Sequence, residues 1–71
     1  MKLNFGGKMV ETGRVMAVGR YEYDVPGIRH RHSVVLFMLD GRMLERLFFT
    51  PDPCNEIYER FAQYVHTIKR L

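Results

Sequence analysis

The chain has 71 residues, of which 46% are apolar and 27% charged, and its formal charge is +3. This length predicts one domain spanning residues 1–71, and the composition excludes a disordered or low-complexity protein. The lone Cys54 cannot close an internal disulfide, no apolar run approaches the roughly 18 residues of a membrane span, and the first residues lack the apolar stretch of a signal peptide. We therefore expect a cytoplasmic protein without a membrane partner, and the mild positive charge permits a polyanionic one.

Glycine pairs and single glycines organise the first third of the chain. Lys2 to Phe5 and Lys8 to Val10 flank Gly6-Gly7, a pattern typical of a short hairpin that adds an edge strand to a sheet. Gly13 and Gly19 then interrupt a segment that is too long for one flat strand. They indicate a bend or bulge that curls the sheet.

Two tight turns set the expected register of the next three strands. Val25-Pro26-Gly27-Ile28 has Pro and Gly where a type II turn needs them, and Leu39-Asp40-Gly41-Arg42 has the Asp-Gly pair of a type I′ hairpin. With two residues in each loop, the predicted opposite pairs are Tyr21 with His32, Tyr23 with His30, Asp24 with Arg29, Glu22 with Arg31, and Glu45 with Leu36. The alternation then places the tyrosines and Glu45 on a core face and six of the eight arginines on the other face.

A helix is predicted after the last strand. Asp52 is a good N-cap, and Pro53 fits the first helical turn. Apolar residues then recur at steps of three and four to near the C-terminus, at Cys54, Ile57, Tyr58, Phe61, Tyr64, Val65, Ile68 and Leu71. This stripe should cover the tyrosine-rich face. The predicted fold is α+β, a curved antiparallel three- to four-stranded β-meander packed on one C-terminal α-helix.

The arginine-bearing face has the strongest functional signal. Two of its arginines lie opposite acids in the expected register, whereas the other four do not and instead alternate with apolar and aromatic residues. The predicted nucleic-acid-binding set is Arg14, Arg20, Phe37, Arg42, Arg46 and Phe48. Because cations follow phosphates while bases stack on rings and guanidinium planes, this pattern favours a small non-enzymatic module that binds single-stranded DNA or RNA.

The same face has a second interpretation. Its exposed apolar area exceeds what a soluble monomer tolerates, and apolar patches with arginine at the rim are typical of protein interfaces. The alternative is therefore a small protein-binding adaptor or inhibitor that uses this face. We also expect a homodimer, because so small a core is marginal alone. The expected dimer interface consists of Met16, Val18, Val35, Phe37 and Leu44.

Metal and enzyme chemistry have weaker support. His30 and His32 share a face two residues apart, and Cys54 at the helix start is a candidate third zinc ligand. We favour the alternative that these histidines pack against the tyrosines, and we expect no metal or cofactor. Glu45 is one isolated acid without a nucleophile, a second acid or a phosphate-binding loop beside it, so neither an enzyme nor a small-molecule substrate is expected.

The order of elements, with its Thr50-Pro51 junction, resembles the positive-coactivator and Whirly-type single-stranded-DNA-binding domains, which work as oligomers. The resemblance implies nucleic-acid binding by the sheet but assigns no functional residue in this chain. A three-stranded sheet with a following helix also occurs in proteins that place the sheet in the major groove of a duplex. The partner can therefore be single-stranded or double-stranded nucleic acid.

Overall fold

The computed structural model describes residues 1–23, 26–27 and 31–69, which form six strands and one α-helix. Their bounds are β1 Lys2–Phe5, β2 Lys8–Glu11, β3 Val15–Glu22, β4 His32–Met38, β5 Met43–Phe48, α1 Pro51–Ala62 and β6 His66–Lys69. The main sheet has the order β5-β4-β3-β6, and α1 packs on one of its faces. The predicted α+β fold, with a sheet packed on one helix near the C-terminus, is confirmed.

The first hairpin forms where Gly6-Gly7 predicts it. Both glycines have positive φ, 65° and 89°, and the Gly7 N–H donates to Asn4 Oδ1 at 2.8 Å. The expected edge strand was wrong, however, because β1 and β2 pair only with each other in a separate two-stranded sheet. The hairpin lies over the main sheet beside α1, where the Phe5 and Phe61 rings meet edge to face with centroids 5.8 Å apart.

The end of the chain departs from the predicted long helix. Thr50, not Asp52, is the N-cap, Pro51 and Pro53 occupy the first turn, and α1 ends at Ala62. Residues His66–Lys69 then form β6, which pairs in parallel with β3. This pairing satisfies backbone groups along the β3 edge that a continued helix would leave without partners. The described residues contain no helix long and apolar enough to cross a membrane.

The β4–β5 turn explains why the predicted register was wrong. Gly41 has φ of 91°, and its N–H donates to the Met38 carbonyl at 3.0 Å. The Met38 N–H donates to the Arg42 carbonyl at 2.8 Å, so Met38 and Arg42 close a loop of three residues, not two. This is the type I turn followed by a left-handed glycine, which the Asp-Gly sequence also permits. The loop length moves the β4–β5 register by one residue.

The β3–β4 register is also shifted by one. Tyr23 N–H donates to the Arg31 carbonyl at 2.7 Å, and Tyr21 lies opposite Ser33, not His32. The predicted two-residue turn would place Tyr21 opposite His32, so the described ends of these strands depart from that register by one residue. Gly27 has the predicted positive φ, 86°. The flanking Val25 and Ile28, and the predicted Asp24–Arg29 and Tyr23–His30 pairs, lie outside the described residues.

The two shifts add up to two residues between β3 and β5, and because this is an even number, β3 and β5 keep their predicted faces while only β4 turns its other side to the helix. Val34 and Leu36 of β4 therefore join Val18 of β3 beneath α1, and the tyrosine-rich face lies on the far side of the sheet. The prediction that the helix covers the tyrosines was wrong for this reason. The core lies between the sheet and the layer made by α1 and the first hairpin, and its buried members are Phe5, Val10, Val15, Val18, Val34, Leu36, Met38, Cys54 and Phe61.

The first long strand has its irregularity at Met16 and not at Gly13 or Gly19, where a bend or bulge was predicted. Val15 pairs with Met38 and Ala17 with Phe37, so Met16 is an additional residue in β3 and is exposed. Such a bulge bends the strand and increases its twist. It lets Val15 and Val18, three residues apart, both face the core.

Candidate functional site

A basic cleft lies between the first hairpin and the adjoining ends of β4 and β5. Its volume is about 390 Å³, within the range of roughly 300–1,000 Å³ typical of ligand sites. The lining residues are Lys2, Lys8, Met9, Val10, Glu11, Arg14, Met38, Arg42 and Leu44. We call this set the basic cleft. A smaller cavity of about 230 Å³ adjoins it and shares Arg14, Met38 and Arg42.

Local backbone structure brings these cations together. Lys2 and Lys8 lie on the two strands of the hairpin, and Arg14 ends the 3-10 turn Thr12–Arg14 that connects the hairpin to β3. The Leu39 N–H donates to the Arg14 carbonyl at 2.9 Å, which holds this connection against the β4–β5 turn. Arg42 follows that turn, so the turn and the hairpin form opposite walls of the cleft.

The cleft has an excess of unpaired positive charge. Within the described part of the chain, Lys2, Lys8 and Arg14 form no ion pair, whereas Arg42 Nε contacts Asp40 Oδ2 at 2.7 Å. Glu11, the acid in the lining, contacts the α-amino group of Met1 at 2.7 Å. Both acids thus have cationic partners. Lys2 also lies opposite Glu11 across the hairpin and helps to lower the pKa of its carboxyl, whereas Lys8 and Arg14 form no ion pair in the described residues and stay available to an anion.

These two acids keep their negative charge at neutral pH. The hydrogen bond from the Met1 amine holds the pKa of Glu11 below its ordinary value. For Asp40, the backbone N–H of Arg42 has the largest effect, and the Arg42 guanidinium adds to it, so the pKa of the Asp40 carboxyl is also lowered. The cleft therefore changes little in charge across neutral pH.

Arg46 and Phe48 extend the positive surface along β5. The Arg46 guanidinium carbon lies 5.8 Å from the centre of the Phe48 ring, and the side chain crosses the Gly6 turn so closely that a Cβ on Gly6 would overlap it. Arg46 is exposed and forms no ion pair within the described ranges, while Phe48 is half-buried against the core. A cation on an aromatic ring is a surface on which a nucleobase can stack.

Arg20 makes contacts within the chain that the sequence did not predict. Its Nε donates to Asn55 Oδ1 of α1, one terminal nitrogen donates to Glu22 Oε1 at 2.9 Å, and the other lies 3.4 Å from His32 Nδ1. The Arg20 side chain is only 19% exposed. It joins the sheet to the helix, and the expectation that it has no acidic partner was wrong because Glu22, expected opposite Arg31, contacts Arg20 instead.

Phe37 lies on the other side of the sheet from Arg42, Arg46 and Phe48, so the structure does not bring the predicted set onto one face. The expected dimer residues are divided as well. Val35 and Phe37 face away from the helix, Val18 is fully buried in the core, Leu44 packs against that core, and Met16 lies at the bulge.

The face turned away from α1 has no covering layer in the described chain, and we call it the open sheet face. Its large side chains are Tyr21, Val35, Phe37, Met43, Leu47 and Ile68. The Tyr21 ring lies over Gly19, where a Cβ would come within 2.8 Å of it, so the glycine leaves room for the ring. Glu45 also lies on this face, opposite Val35 and not Leu36, and accepts a hydrogen bond from the Tyr23 hydroxyl at 2.9 Å.

The candidate metal ligands do not form a described site. Cys54 is completely buried, and burial raises the pKa of its thiol, while His32 lies beside Arg20. His30 lies outside the described residues. Elsewhere, in the ranges 1–23, 26–27 and 31–69, no group of three or more His, Cys, Asp or Glu side chains is arranged to hold a metal ion.

Sequence reasoning missed Lys2 and Lys8 as site residues. Their signal was the pair of lysines on the two strands beside Gly6-Gly7, but local pattern alone does not tell where a hairpin docks.

Comparison with protein-family models, curated proteins and solved structures finds no match to this chain. The candidate site therefore depends on its geometry and charge.

Proposed function

We propose that this protein is a small non-enzymatic nucleic-acid-binding module that holds a single strand in the basic cleft and along β5. The observation that carries the proposal is the convergence of Lys2, Lys8 and Arg14 on one cleft, without an ion pair to any of them in the described chain. Phosphate contacts supply most of the affinity of such modules, because they release counterions.

The surroundings of the cations favour a single strand over a duplex. Met9, which is exposed, and Leu44, which is half-buried, provide apolar surface in the cleft, and Arg46 over Phe48 continues it along β5. An unpaired strand can place its bases on such surfaces while its phosphates contact the lysines and arginines. A duplex presents chiefly phosphates to a cleft of this size, so its affinity should be lower.

The test is fluorescence anisotropy with labelled single-stranded and duplex oligonucleotides at several salt concentrations. Lys8→Ala combined with Arg14→Ala should weaken single-strand binding and reduce the slope of log affinity against log salt by about 1.4, at roughly 0.7 for each lost phosphate contact. The matched control is Arg31→Ala with Arg60→Ala. It removes the same net charge away from the cleft and should leave the slope unchanged.

Two outcomes would contradict the proposal. One is the absence of measurable oligonucleotide affinity in the wild-type protein at low salt. The other is an equal loss of affinity in the cleft variant and in the control, since this would show that only net charge matters.

Arg20→Ala distinguishes a loss of stability from a loss of binding. It should lower the melting temperature, because the contact with Asn55 is lost, and leave the slope of log affinity against log salt unchanged.

The alternative function is a protein-binding adaptor or inhibitor, and the open sheet face is the observation that favours it. Such a protein would bind its partner with little dependence on salt, because an apolar interface releases few counterions. The salt series that tests the cleft therefore also distinguishes these two functions.

A further inference from the structure

The open sheet face exposes large apolar side chains from one edge of the sheet to the other. Met43 and Leu47 of β5 are 66% and 46% exposed, and Ile68 of β6, at the opposite edge, is 39% exposed. Phe37 and Tyr21 lie between them and are half-buried. Exposed apolar side chains at both edges of one sheet face are, on a small domain, typical of an interaction site.

Charge restricts what can cover this face. Of the lysine and arginine side chains that the structure describes, only Arg31 lies at its margin, beside Tyr23, and the others lie on the helix side or on the hairpin. The central acid, Glu45, already accepts a hydrogen bond from Tyr23. A nucleic acid would find few cations there, and a strongly charged protein would lose hydration without gaining ion pairs.

The same distribution of charged side chains favours a second copy of this chain as the molecule that covers the open sheet face. Two molecules with a formal charge of +3 repel each other, and the repulsion is weakest where the cations are farthest from the contact. Face-to-face contact of the open sheet faces directs both basic clefts outward. Apart from Glu45, whose carboxylate already accepts the Tyr23 hydroxyl, the large side chains of this face are apolar or aromatic, as in the core of protein interfaces.

We propose that the open sheet face packs against the same face of a second copy, so that two sheets form a sandwich about 10 Å thick. Four strands spaced about 4.8 Å apart, each with about six residues rising 3.3 Å, give a face of roughly 400 Å² per copy. The total of about 800 Å² is below the 1,200 Å² or more of stable complexes. The dimer is therefore weak and dissociates on dilution.

Sedimentation equilibrium over a concentration series of about 5–500 µM tests this interface. The variant is Leu47→Glu, which places a charge at the proposed contact without touching the core. Leu39→Glu is the matched control, because Leu39 is 65% exposed at the β4–β5 turn and receives the same substitution. We expect reversible dimerisation of the wild type, at least tenfold weaker association of Leu47→Glu, and unchanged association of Leu39→Glu.

A wild-type protein that stays monomeric over the whole series would overturn the proposal, as would a dimer that Leu47→Glu leaves intact. Circular dichroism of both variants ensures that a loss of association does not reflect unfolding. Oligonucleotide affinity is measured in parallel on Leu47→Glu. It should be retained for a labelled strand short enough to occupy one cleft, so failure of the dimer and failure of the nucleic-acid proposal give different results.

Discussion

Replacing Gly41 with valine tests the turn that sets the sheet register. Gly41 has φ of 91°, a conformation that β-branched residues strongly disfavour. No heavy atom lies within 4 Å of a Cβ built at this position, so steric contact adds nothing and the cost comes from the backbone alone. A left-handed residue costs about 1–2 kcal/mol, and a β-branched one lies at the upper end, so we expect a loss of about 2 kcal/mol.

Gly13→Val is the matched control for this substitution. A Cβ on Gly13 also meets no atom within 4 Å, but Gly13 is not among the glycines with positive φ. Both variants restrict the unfolded chain equally. The difference between their melting temperatures therefore measures the cost of the left-handed backbone at position 41. Thermal unfolding followed by circular dichroism should show Gly41→Val melting roughly 8–16 °C below Gly13→Val. Melting temperatures within about 2 °C of each other would refute the three-residue turn and the register derived from it.

Three further predictions concern the core. Phe61→Ala should lower the free energy of unfolding in urea by about 3–5 kcal/mol, because the ring is fully buried against Phe5. The control Tyr64→Ala, at a half-exposed position, should lower it by under about 1 kcal/mol. Similar losses in the two variants would contradict the core assignment. The Cys54 thiol should react with Ellman's reagent only after unfolding, and fast labelling of the native protein would show that it is accessible. Since burial raises the pKa of this thiol above 9.0, the folded state keeps a proton that the unfolded state loses, and stability should fall as the pH rises above that value.

Local signals in the sequence predicted the elements better than their pairing. The Gly6-Gly7 hairpin, the positive φ of Gly41 and the helix after Thr50 follow from backbone chemistry within a few residues. Register depends on loop length, and Asp40-Gly41 fits both a two-residue and a three-residue hairpin. One additional loop residue is enough to turn a whole strand over.

The final strand was missed for a related reason. Val65 and Ile68 continue the helical spacing of α1, yet Val65 packs on the core and Ile68 belongs to a strand. A spacing of three residues can occur by chance across a helix end, and the pairing with β3 is a tertiary interaction that local periodicity does not encode. Short apolar segments near a chain end are therefore poorly assigned by periodicity alone.

The candidate site was predicted in part. Arg14 and Arg42 line the cleft, and Arg46 with Phe48 lies on the same side of the sheet, because the two register errors add up to two residues between β3 and β5 and an even shift keeps side chains on the same face. Arg20 was misjudged because its partner Asn55 comes from the helix. Contacts between distant elements decide which charges are neutralised, and such contacts depend on how the elements dock.

The parallel strand β6 should limit aggregation through the edge of β3 that it covers, because a short edge strand offers little backbone to other chains. It covers the edge of β3 from Ala17 to Arg20 with only four paired residues. A short edge strand opens more often than the core unfolds, and each opening exposes the backbone of a strand rich in valine to other chains. Aggregation on storage should then follow the opening rate of β6 and not the global stability, so a variant with an unchanged melting temperature could still have a much shorter shelf life.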